Sequence, residues 1–327
     1  MSIILTIGSP TLAGYSLALT VLNGQWVARR FDGLAYPNIR HVISLLTSLQ
    51  QVPLKITTEG GLLASLVVLP ENDPWWEEIA ERLNYTVPWT LAATFNMAWV
   101  VVPYISTIIS SFTEFSDFVA RTGFVVGQSV GSIWFWMIAL VTGWLWVSPK
   151  CDFNRVKGTL DRVNEIAYVA TQNGIVKASD VSRARAISFQ DRYQDSLLST
   201  EEWSPPVFNY ARFLPWVQCV EEVRSAFHSA SRNAGAYHSV NPEVDWVGVG
   251  AYVDPVNRTG TIEQVEAYCL APNYVRRSRW GPDVLSRIVV ASFFALGLQW
   301  GTTAAAIIVV WFTPTIGMFF LTIALHL

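Results

Sequence analysis

Charge is what this sequence has least of. Asp, Glu, Lys and Arg make up 14% of its 327 residues, against about 25% in an average globular chain. The shortage is concentrated, because residues 1–28, 83–113, 122–149 and 288–327 contain none of the four. A bilayer crossing needs about 20 apolar residues, so this distribution excludes an ordinary soluble enzyme, a disordered chain and a coiled coil. Cysteine is scarce too. Cys151, Cys219 and Cys269 are too few and odd in number for a disulfide framework, and free thiols on one segment suit a reducing compartment. There is no basic excess, the net charge being −3, which removes the electrostatic case for nucleic acid as a partner. No phosphate loop or dinucleotide fingerprint occurs, since the glycines at Gly248 and Gly250 lack a third, and no cofactor is expected.

What is present is apolar. Hydrophobic residues reach 51% and Trp occurs 15 times. Trp89–Phe112 and Phe124–Val147 are 24 residues each, or about 36 Å of helix at about 1.5 Å per residue, enough to cross a bilayer with some tilt. Eleven residues carrying Glu114, Asp117 and Arg121 join them, so 89–147 reads as a transmembrane hairpin. Ile288–Phe312 follows Arg287 and is a further span. Ile3–Leu22, within a first segment 1–28, is less apolar and holds Gly8, Pro10 and Gly14. A signal peptide wants a basic start, whereas the first basic residues here are Arg29 and Arg30, so an uncleaved span is preferred. Thr315–Leu327 is apolar but reaches only about 20 Å as a helix; it forms a re-entrant or interfacial segment, or half of another hairpin.

Lys and Arg favour the cytoplasmic side of a membrane. Arg29, Arg30 and Arg40 follow the first span, Lys150, Arg155, Lys157 and Arg162 follow the third, and Arg276, Arg277, Arg279 and Arg287 precede the fourth. The N-terminus is therefore expected outside, with 23–88 and 148–287 cytosolic. Both glycosylation sequons, Asn84-Tyr85-Thr86 and Asn257-Arg258-Thr259, then face the cytosol and stay unmodified.

The expected fold is an all-α membrane protein with about four transmembrane helices and a mainly helical cytosolic domain. In 29–88, Ile39, Val42, Ile43, Leu46 and Leu49 share one helical face, which suits either a helix lying on the membrane or one packed on the cytosolic loop. Leu62–Leu69 is too short to cross and is expected to be buried. Asp73-Pro74 reads as a cap followed by proline, and Trp75 and Trp76 beside a span fit an aromatic belt. In 148–287, sixteen basic and sixteen acidic residues balance. Val156, Leu160, Val163, Ile166 and Ala170 predict one amphipathic helix; Trp216, Val220, Val223, Phe227 and Ala230 predict another. Trp203-Ser204-Pro205-Pro206 and Leu214-Pro215-Trp216 read as breaks, and Val244–Val253 as room for a short strand.

Candidate chemistry is thin. Gly127-Gln128-Ser129-Val130-Gly131 matches a nucleophile elbow, but inside a charge-free span it lacks acid and His partners. Gly123, Gly127 and Gly131 instead make a smooth helix-packing face, as do Gly297 and Gly301 in the last span. These faces meet each other or a second copy, so a homo-oligomer is one partner they admit. Cys219, His228, His238 and Cys269 contain zinc-ligand types without close spacing, and Asp152-Phe153-Asn154 lacks the glycine and closing Glu of a calcium loop; no metal is expected. Asn96, Gln128 and Gln299, with Ser129, Thr302 and Thr303, are the intramembrane polar residues. Without ionisable groups in the spans, they suit hydrogen bonds between helices better than a substrate route. Arg276, Arg277, Arg279 and Trp280 suit anionic lipid headgroups.

Three runs carry a resemblance: Gly8-Ser9-Pro10 with Tyr15-Ser16-Leu17-Ala18-Leu19-Thr20, Phe208–Trp216, and Leu298-Gln299-Trp300-Gly301-Thr302-Thr303-Ala304-Ala305-Ala306. Together they resemble a group of uncharacterised multi-pass membrane proteins of filamentous fungi. The resemblance implies further spans beyond Thr313-Pro314, from which Met318–Leu327 departs, and it implies no activity or site residue. The expectation is a non-catalytic scaffold or accessory subunit with the lipid bilayer and a membrane or cytosolic protein as partners. A channel or transporter for neutral or lipid-like solutes is the first alternative. A membrane-bound enzyme on lipid or polyprenyl substrates is the second, and it needs Glu221, Glu222, His228 and His238 gathered at the membrane surface.

Overall fold

A computed structural model describes residues 2–50, 52–85, 89–92, 94–95, 97–99, 101–102, 105, 136–147, 150, 153–189, 209–248, 253–270 and 283–312. It is mostly helical and divides into two units, one made of 1–18, 86–148 and 288–327, the other of 19–85 and 149–287. Helix α1 (Ser2–Phe31) contributes residues to both.

The second unit holds the core. It comprises the C-terminal half of α1, α2 (Ile39–Ser48), β1 (Leu54–Ile56), α3 (Leu62–Val68), α4 (Asp73–Leu83), α6 (Phe153–Asn164), β2 (Tyr168–Thr171), β3 (Gly174–Lys177), β4 (Ile187–Phe189), α7 (Asn209–Gly235) and α8 (Ile262–Cys269). The stretches 29–88 and 148–287, separate in the sequence reading, fold together: β1 pairs antiparallel with β4, Leu54 opposite Phe189, and α4 packs on α6 while α7 packs on α3 and α8. Phe227 on α7 is the aromatic hub, edge-on to Phe31, Tyr36 and Trp76 with centroids 6.4, 6.2 and 5.6 Å away. Burying such rings contributes more than any other side chains here.

Several expectations hold in this unit. Of the face Ile39, Val42, Ile43, Leu46 and Leu49, Val42, Leu46 and Leu49 are buried, with Leu45 beside them, and Ile39 and Ile43 are half-buried. Every residue of α3 is buried. The face Trp216, Val220, Val223, Phe227 and Ala230 is buried along α7. Others are corrected. Trp75 and Trp76 lie fully buried in the core with Trp76 Nε1 donating to the Leu66 carbonyl at 2.8 Å, so they are no aromatic belt. Asp73 is the first residue of α4 and caps nothing; Asn72 precedes it without a side-chain cap, its amide being used by Ser65 and Tyr168.

Further differences concern strands and breaks. The helix of 153–164 stops at Asn164, and Ala170 belongs to the β2–β3 hairpin. Pro215 lies inside α7. It deprives the Ala211 carbonyl of one helical partner, and the burial of Phe213, Trp216 and Val217 on either side offsets that loss. No strand occurs among the described residues of Val244–Val253. There the side chain of Asn257 donates to the Val247 carbonyl at 2.7 Å and accepts from its N–H at 2.9 Å, taking the place of a neighbouring strand. The breaks at 203–206 lie outside the described residues.

In the first unit, α5 (Trp136–Val147) is a 12-residue apolar helix, and α9 (Val284–Phe312) contributes all residues from Ile288 onward. Within this unit Gly14 of α1 meets α9: a Cβ there stands 3.5 Å from the Ala295 backbone and 3.3 Å from Leu298, and Ala291 and Ala295 are buried. Among its described side chains α9 also turns large apolar groups outward, with Phe293 72% and Trp300 65% exposed. Among the described residues one helix, Val284–Ala305, is long and apolar enough to cross a membrane. Four such helices were expected. Helix α1 is 30 residues long, and most of the expected crossings at 89–112 and 124–147 lie outside the described residues.

Candidate functional site

Two buried polar clusters stand out in the second unit. The first surrounds Arg287, the last residue before the charge-free stretch. Its guanidinium stacks 4.0 Å above the Trp26 ring and 4.8 Å from Phe213. Nη1 donates to Asn23 Oδ1 at 2.5 Å and Nε to the Asp283 carbonyl at 3.2 Å. Asn23 passes the chain on, its Nδ2 donating to Gln50 Oε1 at 3.1 Å. Gln50 Nε2 ends it on the carbonyls of Thr20 and Thr47, at 3.1 and 3.0 Å.

Local sequence explains the convergence. Asn23 sits on the stripe of α1 that buries Leu19, Trp26 and Val27, so it points into the core and must find partners there. Gly24 lets α2 come close, since a Cβ at that position stands 3.1 Å from Thr47 Cγ2. Gln50 follows the C-terminal end of α2 and meets the carbonyls left open there. Arg287 is only 5% exposed, and among the described residues no carboxylate pairs with it. Burial works against its charge, while the carboxylates of Asp283 and Glu221 favour it without forming an ion pair; stacking on Trp26 adds about 1–2 kcal/mol.

The second cluster is built on an ion pair. Arg258, 2% exposed, donates to Asp73 through Nη1 and Nη2 at 2.7 and 2.6 Å. Its Nε and Nη2 reach the Val68 and Leu69 carbonyls at 2.8 and 3.3 Å, so a cation closes the C-terminus of α3. Asn38 Nδ2 donates to the same carboxylate at 2.5 Å. Burial works against the Arg258 charge, but its bonds to Asp73 prevail and its pKa rises. This cluster is a latch: each guanidinium nitrogen of Arg258 has an acceptor and both Asp73 oxygens are engaged.

Glu221 is held bidentately by Arg30, at 2.9 and 2.7 Å. His228 and His238 are exposed, and desolvation together with Arg224, Arg232 and Arg30 pushes the His228 pKa down. Cys219 donates to the Leu54 carbonyl at 3.4 Å and Cys269 lies 4.0 Å from that of Ala64. Burial pushes the Cys219 thiol up to about 12 and the Cys269 thiol higher still, so neither offers a thiolate. Among the described residues no group of three His, Cys, Asp or Glu is placed to hold a metal.

Of the intramembrane polar residues, Gln299 accepts from Thr11 Oγ1 at 3.4 Å and donates to Thr303 Oγ1 at 3.3 Å. A Cβ on Gly297 or on Gly301 meets nothing within 4 Å. Among the described residues the close packing falls to Gly14 and to Gly143, whose Cβ collides with Leu17. Asn96, Gly123, Gly127, Gln128, Ser129, Gly131, Cys151, Arg276, Arg277, Arg279 and Trp280 lie outside the described residues.

Sequence reasoning missed the Arg287 cluster. Arg287 had served only as a topology signal and Gln50 carried no reading of its own; the one signal for a site was Asn23, an amide just past an apolar run. Comparison with known proteins finds no matching family model, no matching curated protein and no matching solved structure.

Proposed function

We propose that this chain is an integral membrane protein that works as a non-catalytic scaffold or accessory subunit. About four helices of the charge-free stretches cross the bilayer, with the N-terminus outside and the unit of 19–85 and 149–287 in the cytosol. One observation carries the reading: the polar groups that catalysis or transport could use are spent on internal structure, Glu221 on Arg30, Asp73 on Arg258 and Gln299 on Thr11 and Thr303. The apolar surface of α9 supports the membrane part, because soluble monomers rarely expose contiguous patches larger than a few hundred Å². The likeness to multi-pass proteins of filamentous fungi points the same way. What remains for the folded unit is to bind another protein.

The test is purification in mild detergent followed by mass spectrometry of everything that comes with the chain. A stoichiometric protein partner is expected. A bound small molecule turned over by the preparation, with no partner protein, contradicts the reading.

A further inference from the structure

Arg287 leaves one question open. Its Nη2 is shut off from solvent and has no acceptor, and so is the indole Nε1 of Trp26, the ring on which the guanidinium stacks. Two enclosed donors therefore stand side by side, one of them charged. Each buried donor left unmade costs about 1–3 kcal/mol, and Asn23 Oδ1 is already given to Nη1. Asp283 offers Arg287 its backbone carbonyl, and Glu221 is held by Arg30. By contrast, the equally buried Arg258 has a partner for each N–H group that could demand one. Asp283 and Glu221 favour the charge without giving Nη2 an acceptor, and an anion can supply one.

We propose that Arg287 and Trp26 form a binding site for a phosphate group, with Nη2 and Nε1 as its two donors and Asn23 and Gln50 holding the guanidinium in place. The proposal rests on the membrane reading for its source. Arg287 precedes Ile288, where the last charge-free stretch begins, and it lies inside the helix segment able to cross a bilayer. A residue at that depth meets the headgroup layer, and the anion there is the phosphate of a phospholipid. Arg287 as a residue is 5% exposed and Nη2 itself is closed off, so its outer torsions must turn for Nη2 to reach an oxygen at the ring edge. The phosphate is bound and not transformed. A charge-assisted pair of donors of this kind favours phosphate over neutral headgroups.

Full-length protein extracted from membranes and passed through detergent exchange is analysed by native mass spectrometry for retained phospholipid. The wild type is expected to retain a phospholipid. Trp26→Phe keeps the ring and the stacking but removes the N–H, and it lowers retention about tenfold; Arg287→Gln does the same, and Arg287→Lys retains an intermediate amount. Thermal melting of Trp26→Phe alongside the wild type establishes that the variant folds. Equal retention in the wild type and Trp26→Phe overturns the site. If no lipid stays bound but inorganic phosphate raises the melting temperature of the wild type and not of Trp26→Phe, the site stands and its phosphate is soluble; if phosphate raises neither, the site is overturned. Recovery of the chain in the aqueous fraction without detergent overturns the membrane reading, and the phosphate arm still reads the site.

Discussion

Helices α7 and α9 are of similar length and opposite design. Helix α7 turns its large side chains inward, Trp216 and Phe227 being fully buried, while α9 buries Ala291 and Ala295 and turns Phe293, Phe294 and Trp300 out. In water the first arrangement is driven by removing apolar surface from solvent. The second gains nothing from such burial and suits helices in lipid, where small residues let backbones approach and large ones meet acyl chains. The same contrast runs through the polar groups. Arg258 and Asn257 sit in networks that tie distant segments together, whereas the hydroxyls of Ser292, Thr302 and Thr303 bond to carbonyls three or four residues back on their own helix.

The contrast can be sharpened by mutation. Trp76→Ala removes a buried ring and orphans the Leu66 carbonyl, and it is expected to lower the unfolding free energy by about 3–5 kcal/mol in denaturant titration; Phe293→Ala, in contrast, stays within about 0.5 kcal/mol. Equal losses at the two positions would erase the distinction between the units. Next comes Arg258→Leu, which leaves the Val68 and Leu69 carbonyls and Asp73 without their partner, a loss of about 3 kcal/mol by the same titration. Asn257 is 1% exposed with its amide engaged on both sides, so intact-mass measurement should find it without sugar.

Smaller effects separate the faces of α9. Gly14→Val forces its side chain into Leu298 and Ala295 and is expected to cost about 1–3 kcal/mol in detergent melts. Gly301→Ala meets open space and gains up to about 1 kcal/mol from helix propensity. The smallest effect concerns His228. Its folded pKa lies below the unfolded value, so the stability it contributes is present above about 6.5 and is lost as pH falls through the lower folded value. An NMR titration should give a midpoint below about 6.5, and Arg232→Gln should move it up. No movement would mean the arginines do not act on it.

Helical periodicity made α2, α3, α4 and α7 legible because each buries one face or all of itself in a local pattern. Pairings between distant segments were not legible. Nothing in Leu54–Ile56 announces Ile187–Phe189 as its partner, and without that pairing the two loops read as separate. The β2–β3 hairpin had a signal, the turn residues Gln172, Asn173 and Gly174 between Val169 and Ile175, but Ile166 and Ala170 fall at helical spacing and the helical reading prevailed. The candidate site was hidden for a related reason: Asn23, Gln50 and Arg287 are far apart in sequence, and each alone resembles an ordinary polar residue at a helix end. Adjacent Trp75 and Trp76 misled because an amphipathic ring suits a core with a spare carbonyl as well as a membrane surface.

The central claim is that the exposed apolar surface of the first unit faces lipid. Alkaline carbonate extraction of membranes from cells expressing the full chain tests it directly, since the treatment strips proteins held by surface contacts and leaves those embedded in the bilayer. The chain is expected to stay with the membrane pellet and to be released only by detergent. Its quantitative release into the carbonate supernatant would contradict the account.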